Sequence, residues 1–325
     1  ERKKELREKN ILSWYLEDDE LFFSSGKYDT SLKKNNSFIK RIKQSLTKEN
    51  HEAILNDIHT LSLEKYLTEI IHALSESLTK CVKGDDVAAA IEIISALHQR
   101  FTWKFTPFIQ QNILAAFVNE PNVLKNQDAE FDANIKLSKR DLERISLQKI
   151  YLRLFMECYF VGLFDRVETS SIDEYPPFIS QVYISLRKNG ELLNANDILI
   201  VVLKDILHYE PRFGSNIGII SSFLKRYGEM FSSSTLSAQE NYDDLFPLPV
   251  REELNHLFLN YGKIFQKYTI KLYQQLYKLK FRIKKSSIRM GKISEELNNS
   301  LELRIEFFER YQGLCDLMDS ILHLG

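Results

Sequence analysis

The chain has 325 residues, 44% of them apolar, with 44 basic and 45 acidic side chains and a net charge of −1. That length supports one large domain or two ordinary ones with a sizeable core. Near-neutrality excludes a global electrostatic pull toward nucleic acid or anionic lipid, so any such pull has to come from local segregation of charge. With 11 Gly and 7 Pro the chain is too poor in turn residues for an all-β protein. Cys81, Cys158 and Cys315 are odd in number, far apart and without a CxxC, which argues against a disulfide framework or zinc site and for a reducing compartment. The longest apolar run, Ile198–Leu203, has six residues, far short of the roughly 18 of a membrane span. The opening ERKKELREKN is no signal peptide and lacks an initiator Met, so the chain is expected to be a piece of a longer protein.

Helical periodicity runs almost throughout, with no convincing alternating strand. Helices are expected at 1–23, 31–47, 51–60, 63–82, 86–101, 106–119, 138–164, 177–188, 195–209, 215–231, 250–292 and 294–322. Residues 1–48 form an N-terminal helical extension. Within it SLKKNNSFIKRIKQSLTK, 31–48, surrounds Phe38, Ile39 and Ile42 with Lys33, Lys34, Lys40, Arg41, Lys43 and Lys48. This is the pattern of an amphipathic helix docking on the fold, and its cations are a secondary candidate binding surface. In 63–82, Leu63, Tyr66, Leu67, Ile70, Ile71, Leu74 and Leu78 share one face. Gly84 is expected to stop that helix, with Asp85 capping the next. The next reads DDVAAAIEIISALHQRF, with Val87, Ala90, Ile91, Ile94, Leu97 and Phe101 as its stripe and three adjacent alanines that let a neighbour approach closely. His98 lies on that apolar face and is expected to be a hydrogen-bonded core histidine.

Successive amphipathic helices with short joins point to an all-α fold of antiparallel hairpins stacked as an α-solenoid over 49–231. Long connections fall at 120–137, at 165–177 and at 232–249, the last an acidic, Ser-containing loop expected to be open to proteolysis. Residues 250–325 are expected to be two long helices packed on the solenoid within the same domain.

The long helix carries the sharpest feature. KLKFRIKKSSIRMGK, 278–292, holds seven Lys or Arg and no acid. With Lys263 set to zero on a wheel, Leu254, Phe258, Tyr261, Phe265, Tyr268, Leu272, Leu276, Leu279, Ile283 and Met290 fall near 180°, within an arc of about 80°. Lys263, Lys267, Lys271, Lys278, Arg282, Lys285, Arg289 and Lys292 make a basic edge beside that stripe, about 40 Å long. No Asp or Glu occurs between Leu254 and Ser294 to relieve it. Its partner is therefore an acidic segment elsewhere in the fold, such as EDDE at 17–20, another protein, or RNA; plain solvation of lysine stems is the bland alternative. Tyr273, Tyr277 and Phe281 lie on a flank read as open to internal packing, which leaves the helix without aromatics to stack successive bases.

Catalytic signals are weak. Glu69/His72 and Glu253/His256 have Glu-x-x-His spacing, but neither pair points its side chains into a common helical core as a di-iron site requires. No phosphate-binding, dinucleotide, zinc-protease or nucleophile-elbow motif occurs, and nothing pairs a nucleophile with a base. No catalytic, cofactor or metal residue is therefore assigned.

Several blocks taken together, RKKELREKN (2–10), SLKKNNSFIKRIKQ (31–44), SLEKYLTEI (62–70), DDVAAAIEIISALHQRF (85–101), LRLFMECYFVGLF (152–164), VLKDILHY (202–209) and SIRMGKISEEL (287–297), resemble the first MIF4G domain of the Upf-family scaffold of nonsense-mediated mRNA decay, in a fungal-like copy. The resemblance runs in order over nearly the whole chain. It implies HEAT-like helical hairpins, no catalysis, no cofactor, and a cytoplasmic scaffold domain that supports assembly of the mRNA surveillance complex. In that family the Upf helicase and the third Upf protein bind other regions of the full-length chain, so no contact residues carry over. The alternative from the residues themselves is a sequence-independent RNA-binding module using the basic edge.

Overall fold

The computed structural model describes residues 2–16, 28–44, 46–117, 139–166, 194–208, 214–232, 243–291 and 295–323. Among them the helices are α1 (Arg2–Ser13), α2 (Leu32–Gln44), α3 (Lys48–Thr60), α4 (Leu67–Leu78), α5 (Gly84–Ala115), α6 (Lys139–Phe160), α7 (Ala195–His208), α8 (Ile217–Tyr227), α9 (Leu248–Met290) and α10 (Glu295–Leu322). No strand occurs among the described residues; a single isolated bridge joins Asp29 to Leu61. No helix among them is long and apolar enough to cross a membrane. The helix expected at 177–188, the 120–137 connection and most of 232–249 lie outside the described residues. The chain divides into two compact units, one of Glu1–Val118 with Ile150–Leu199, the other of Asn119–Lys149 with Ile200–Gly325.

In the first unit α2 packs on α3 and α4, and α1, α3 and α4 all pack on α5. Surrounded on several sides, α5 buries Val87, Ala89, Ala90, Ile91, Ile93, Ile94 and Leu97 and has no broad solvated face in its first half. Two helices expected at 86–101 and 106–119 are one element bent at Phe101 (φ −136°, ψ 47°). Pro107 follows within two turns and has no amide to give the carbonyl one turn back. Two expectations near its start are corrected. α4 ends at Leu78, six residues before Gly84, because Lys80 and Cys81 wind off it by turn hydrogen bonds to Ser77 and Leu78. Lys83, not Asp85, occupies the N-cap; Asp85 and Asp86 sit in the first turn, where carboxylates favour the positive end of the helix dipole.

α1 is shorter than expected, ending at Ser13, and it joins the unit through buried polar contacts. The Asn10 side-chain amide donates to Ser95 Oγ and to the Val161 carbonyl, both at 2.9 Å, and its oxygen accepts from Gln99 at 2.8 Å. Trp14 is buried against His98 and Trp103 and donates its indole N–H to the Gly162 carbonyl. That carbonyl is presented by a Schellman turn ending α6. Gly162 N–H bonds Tyr159 O, Leu163 N–H bonds Cys158 O, and Gly162 has φ +76°.

The second unit is built on an aromatic stack. Phe223 of α8 lies parallel to Phe258 of α9 at 5.6 Å, and Phe265 of α9 lies parallel to Tyr311 of α10 at 4.7 Å. α9 and α10 form an antiparallel hairpin, with contacts running from Tyr273–Phe308 to Phe265–Tyr311. Glycines allow close approach here. A Cβ on Gly214 (φ +59°) would meet Tyr311 at 2.7 Å, and one on Gly228 would meet Ile321 at 2.9 Å. Gly291 ends α9 in the left-handed conformation with open space around it, so only its φ of +67° demands glycine.

Candidate functional site

His98, the one histidine placed on an apolar face by the sequence, is fully buried. Its Nε2 lies 2.9 Å from the Asn10 carbonyl and its Nδ1 2.7 Å from Thr106 Oγ1. A carbonyl only accepts, so Nε2 carries the proton and Nδ1 accepts from the threonine. Burial pushes its pKa down to about 4, partly offset by the Asn10 carbonyl. It is a neutral structural group tying α1 to α5. Arg100 is likewise buried. It donates to the Ile58 and Leu61 carbonyls at the C-terminal end of α3, where a cation also meets the negative end of the helix dipole. Its guanidinium stacks on Tyr28 at 3.8 Å.

The thiols are buried and free. Burial raises the Cys81 pKa to about 11 and pushes Cys158 up as well, away from the thiolate that nucleophilic chemistry needs. Of the Glu-x-x-His pairs, Glu69 and His72 are both exposed, while Glu253 pairs with Lys204 at 3.4 Å. No cluster of three or more metal-ligating side chains occurs among the described residues.

The secondary basic segment is largely neutralised within its own unit. α2 buries Asn35, Phe38 and Ile42, and three of its cations meet carboxylates: Lys34 with Asp29 (2.6 Å), Arg41 with Asp57 (2.7 Å) and Lys43 with Glu76 (3.2 Å). Lys48 reaches Asp85 at 3.5 Å. Lys33 and Lys40 are exposed.

The edge of α9 is different. One continuous helix of 43 residues carries it, as the wheel requires. Eight of the ten stripe residues are buried and Tyr268 is half-buried, so the register of the edge beside the core is the expected one. The structure brings Lys263, Lys267, Lys271, Lys278, Arg282, Lys285 and Arg289 together as one exposed row, while Lys292 lies outside the described residues. Among the described residues no carboxylate is paired with any of the seven; Lys271 lies over the Tyr268 ring at 5.9 Å. Residues 17–20, the suggested internal acidic partner, lie outside the described residues.

One reading of this helix is corrected. Tyr277 and Phe281 do not pack internally; both are more than half exposed, as are Ile270 and Ile288, while Tyr273 is also more than half exposed but keeps an edge contact with Phe308 of α10. The wheel held the signal. These residues fall between about 280° and 360°, well away from the buried stripe at 180° and next to the cations.

No protein-family model matches the chain. It is 33% identical over 315 residues to nonsense-mediated mRNA decay protein 2 of Saccharomyces cerevisiae, covering 96% of this chain and 26% of that protein. It is 29% identical over 244 residues to the Schizosaccharomyces pombe protein of the same name, covering 73% of this chain and 22% of that one. The chain thus spans about a quarter of the curated relatives it matches. Among solved structures, the first MIF4G domain of human nonsense mediated decay factor UPF2 agrees with a TM-score of 0.68 at 20% identity, covering 99% of this chain and 92% of that one. That likeness places the fold in the MIF4G class of helical domains. The N-terminal mIF4G domain of S. cerevisiae Upf2, a protein involved in the degradation of mRNAs containing premature stop codons, agrees with a TM-score of 0.81 at 32% identity, covering 100% of this chain and 96% of that one. The chain belongs to the family of Upf2 N-terminal MIF4G domains.

Proposed function

We propose that this chain is a scaffold domain of a nonsense-mediated mRNA decay factor, acting without catalysis in the cytoplasm to support assembly of the surveillance complex. The observation that carries the reading is the likeness to Upf2 over nearly the whole chain in both sequence and fold. The buried, neutral His98 and the buried, raised thiols agree with it, since the most chemically capable side chains serve packing. The Upf helicase and the third Upf protein are expected to bind regions of the full-length protein beyond this chain. The exposed row Lys263–Arg289 is then a protein-docking surface. A sequence-independent RNA module draws less support, because the row is mostly lysine, which offers point charges rather than planar forks. We further infer that 49–231 and 250–325 fold as one domain, because α6 and α7 are continuous helices that each contribute residues to both compact units.

The test uses the full-length protein in its own host. The half-life of a reporter mRNA with a premature stop is compared with that of its sense counterpart, with and without this domain. The proposal expects removal of the domain to bring the two half-lives together; persistence of the difference would refute it.

A further inference from the structure

α9 exposes an apolar line that the other described helices leave almost unused. Ile270, Tyr273, Tyr277, Phe281 and Ile288 are between 55% and 78% exposed. They occupy an arc of about 80° and run about 27 Å along the helix. Their spacings of three, four, four and seven residues keep them on one face, as in a coiled-coil seam. Tyr273 touches Phe308 of α10 at 5.7 Å, which anchors one edge of the line to the hairpin. A contiguous stripe of this length, unlike singly scattered apolar side chains, marks an interaction surface.

Charge selects the occupant. Lys284 sits within the line, in the seven-residue gap between Phe281 and Ile288; Lys280 borders it on one side, and Lys278 and Lys285 border it on the other with Arg282 behind them, all exposed. The bordering cations hold the flanking positions of a seam, where charge sets partner choice. A second copy of this chain would bring like charges face to face. Single-stranded RNA would need a row of ring faces, yet both ends of the line are isoleucine and the Tyr273 ring is engaged by Phe308, leaving only Tyr277 and Phe281. An amphipathic helix with Asp or Glu beside its apolar stripe matches both features at once.

We propose that this seam docks an acidic amphipathic helix of a partner protein, its apolar stripe lying along Ile270–Ile288 and its carboxylates pairing with the flanking lysines and arginine. The proposal deepens the scaffold reading by naming the chemistry of what one face holds. Its test is a binding measurement that stands whether or not the protein acts in mRNA decay.

The probe is a helical peptide of about four heptads with Leu or Ile at a and d and Glu at e and g. One control carries Lys at e and g; another keeps Glu but has Ser at a and d. Fluorescence anisotropy with the 325-residue chain should show the acidic peptide binding at least about tenfold tighter than either control, a difference well beyond measurement scatter. Tyr277→Ala with Phe281→Ala should weaken it about tenfold or more without changing the melting curve. Lys278→Glu, Arg282→Glu and Lys285→Glu together should reverse the preference toward the Lys peptide. The proposal is overturned if the acidic peptide binds no better than its Ser control. It is equally overturned if a uridine oligonucleotide or self-association, rather than the peptide, is what the Tyr277/Phe281 variant abolishes.

Discussion

Replacing Asn10 by alanine tests how α1 is held. The side chain makes three hydrogen bonds of 2.8 to 2.9 Å, to Ser95, Val161 and Gln99. Gln99 is only part-buried and can turn to water, so its loss is worth little. Ser95 and the Val161 carbonyl are buried, and each acceptor left without its donor costs about 1–3 kcal/mol. Adding the small void left by the amide gives an expected loss of about 3 kcal/mol. The assay is urea unfolding followed by far-UV dichroism and by the fluorescence of Trp14 and Trp103. The midpoint should fall while the slope stays constant. Ser95→Ala should remove much less, and the double variant should show clear coupling because the two residues share one bond. A loss below about 0.5 kcal/mol for Asn10→Ala would refute the reasoning, since it would mean that the Asn10 side chain contributes nothing to holding α1.

Three further outcomes follow from the same contacts. His98 binds its proton more weakly in the fold than in the unfolded chain, so stability is fully present above about pH 6.5 and falls as pH drops toward about 4. That loss totals about 3 kcal/mol, and a His98→Gln variant followed by chemical denaturation across this window should have a flatter dependence. Gly162→Val should destabilise by more than about 2 kcal/mol, because φ is +76° and a Cβ would stand 3.0 Å from Ile11; a melting curve like that of the wild type would contradict it. Reversing Lys271, Lys278, Arg282 and Lys285 to Glu should leave the dichroism spectrum and melting temperature nearly unchanged, since all four are exposed off the core stripe; unfolding would show that the edge is packed.

The helices were legible wherever one face is buried and the other is wet. The stripe from Leu254 to Ile283 is the clearest case, because a 3.6-residue period over so long a run has one solution. α5 was harder to divide, since burial on several sides removes the polar face that marks a boundary, and a bend at Phe101 looks in sequence like an end. Asn10 and Trp14 gave no local signal. Their roles depend on a Schellman turn about 150 residues away, and pattern along the chain carries no information about such pairings. Among the site residues, the cations of α9 could be placed by angle alone. Whether Arg41 or Lys43 meets a carboxylate depends on α3 and α4 arriving beside α2, which only the fold supplies. Tyr277 and Phe281 were misread because aromatic residues are usually buried, and that prior outweighed an angle that pointed to solvent; Tyr273, on the same flank, does meet Phe308.

The measurement that bears most directly on a scaffold acting through its surface is decay of the premature-stop reporter in cells whose full-length protein carries Tyr277→Ala, Phe281→Ala, Arg282→Glu and Lys285→Glu. The variant should accumulate to the normal level, because these side chains are exposed, and the reporter half-life should lengthen toward that of the sense transcript. A normal protein level with an unchanged reporter half-life would contradict the account.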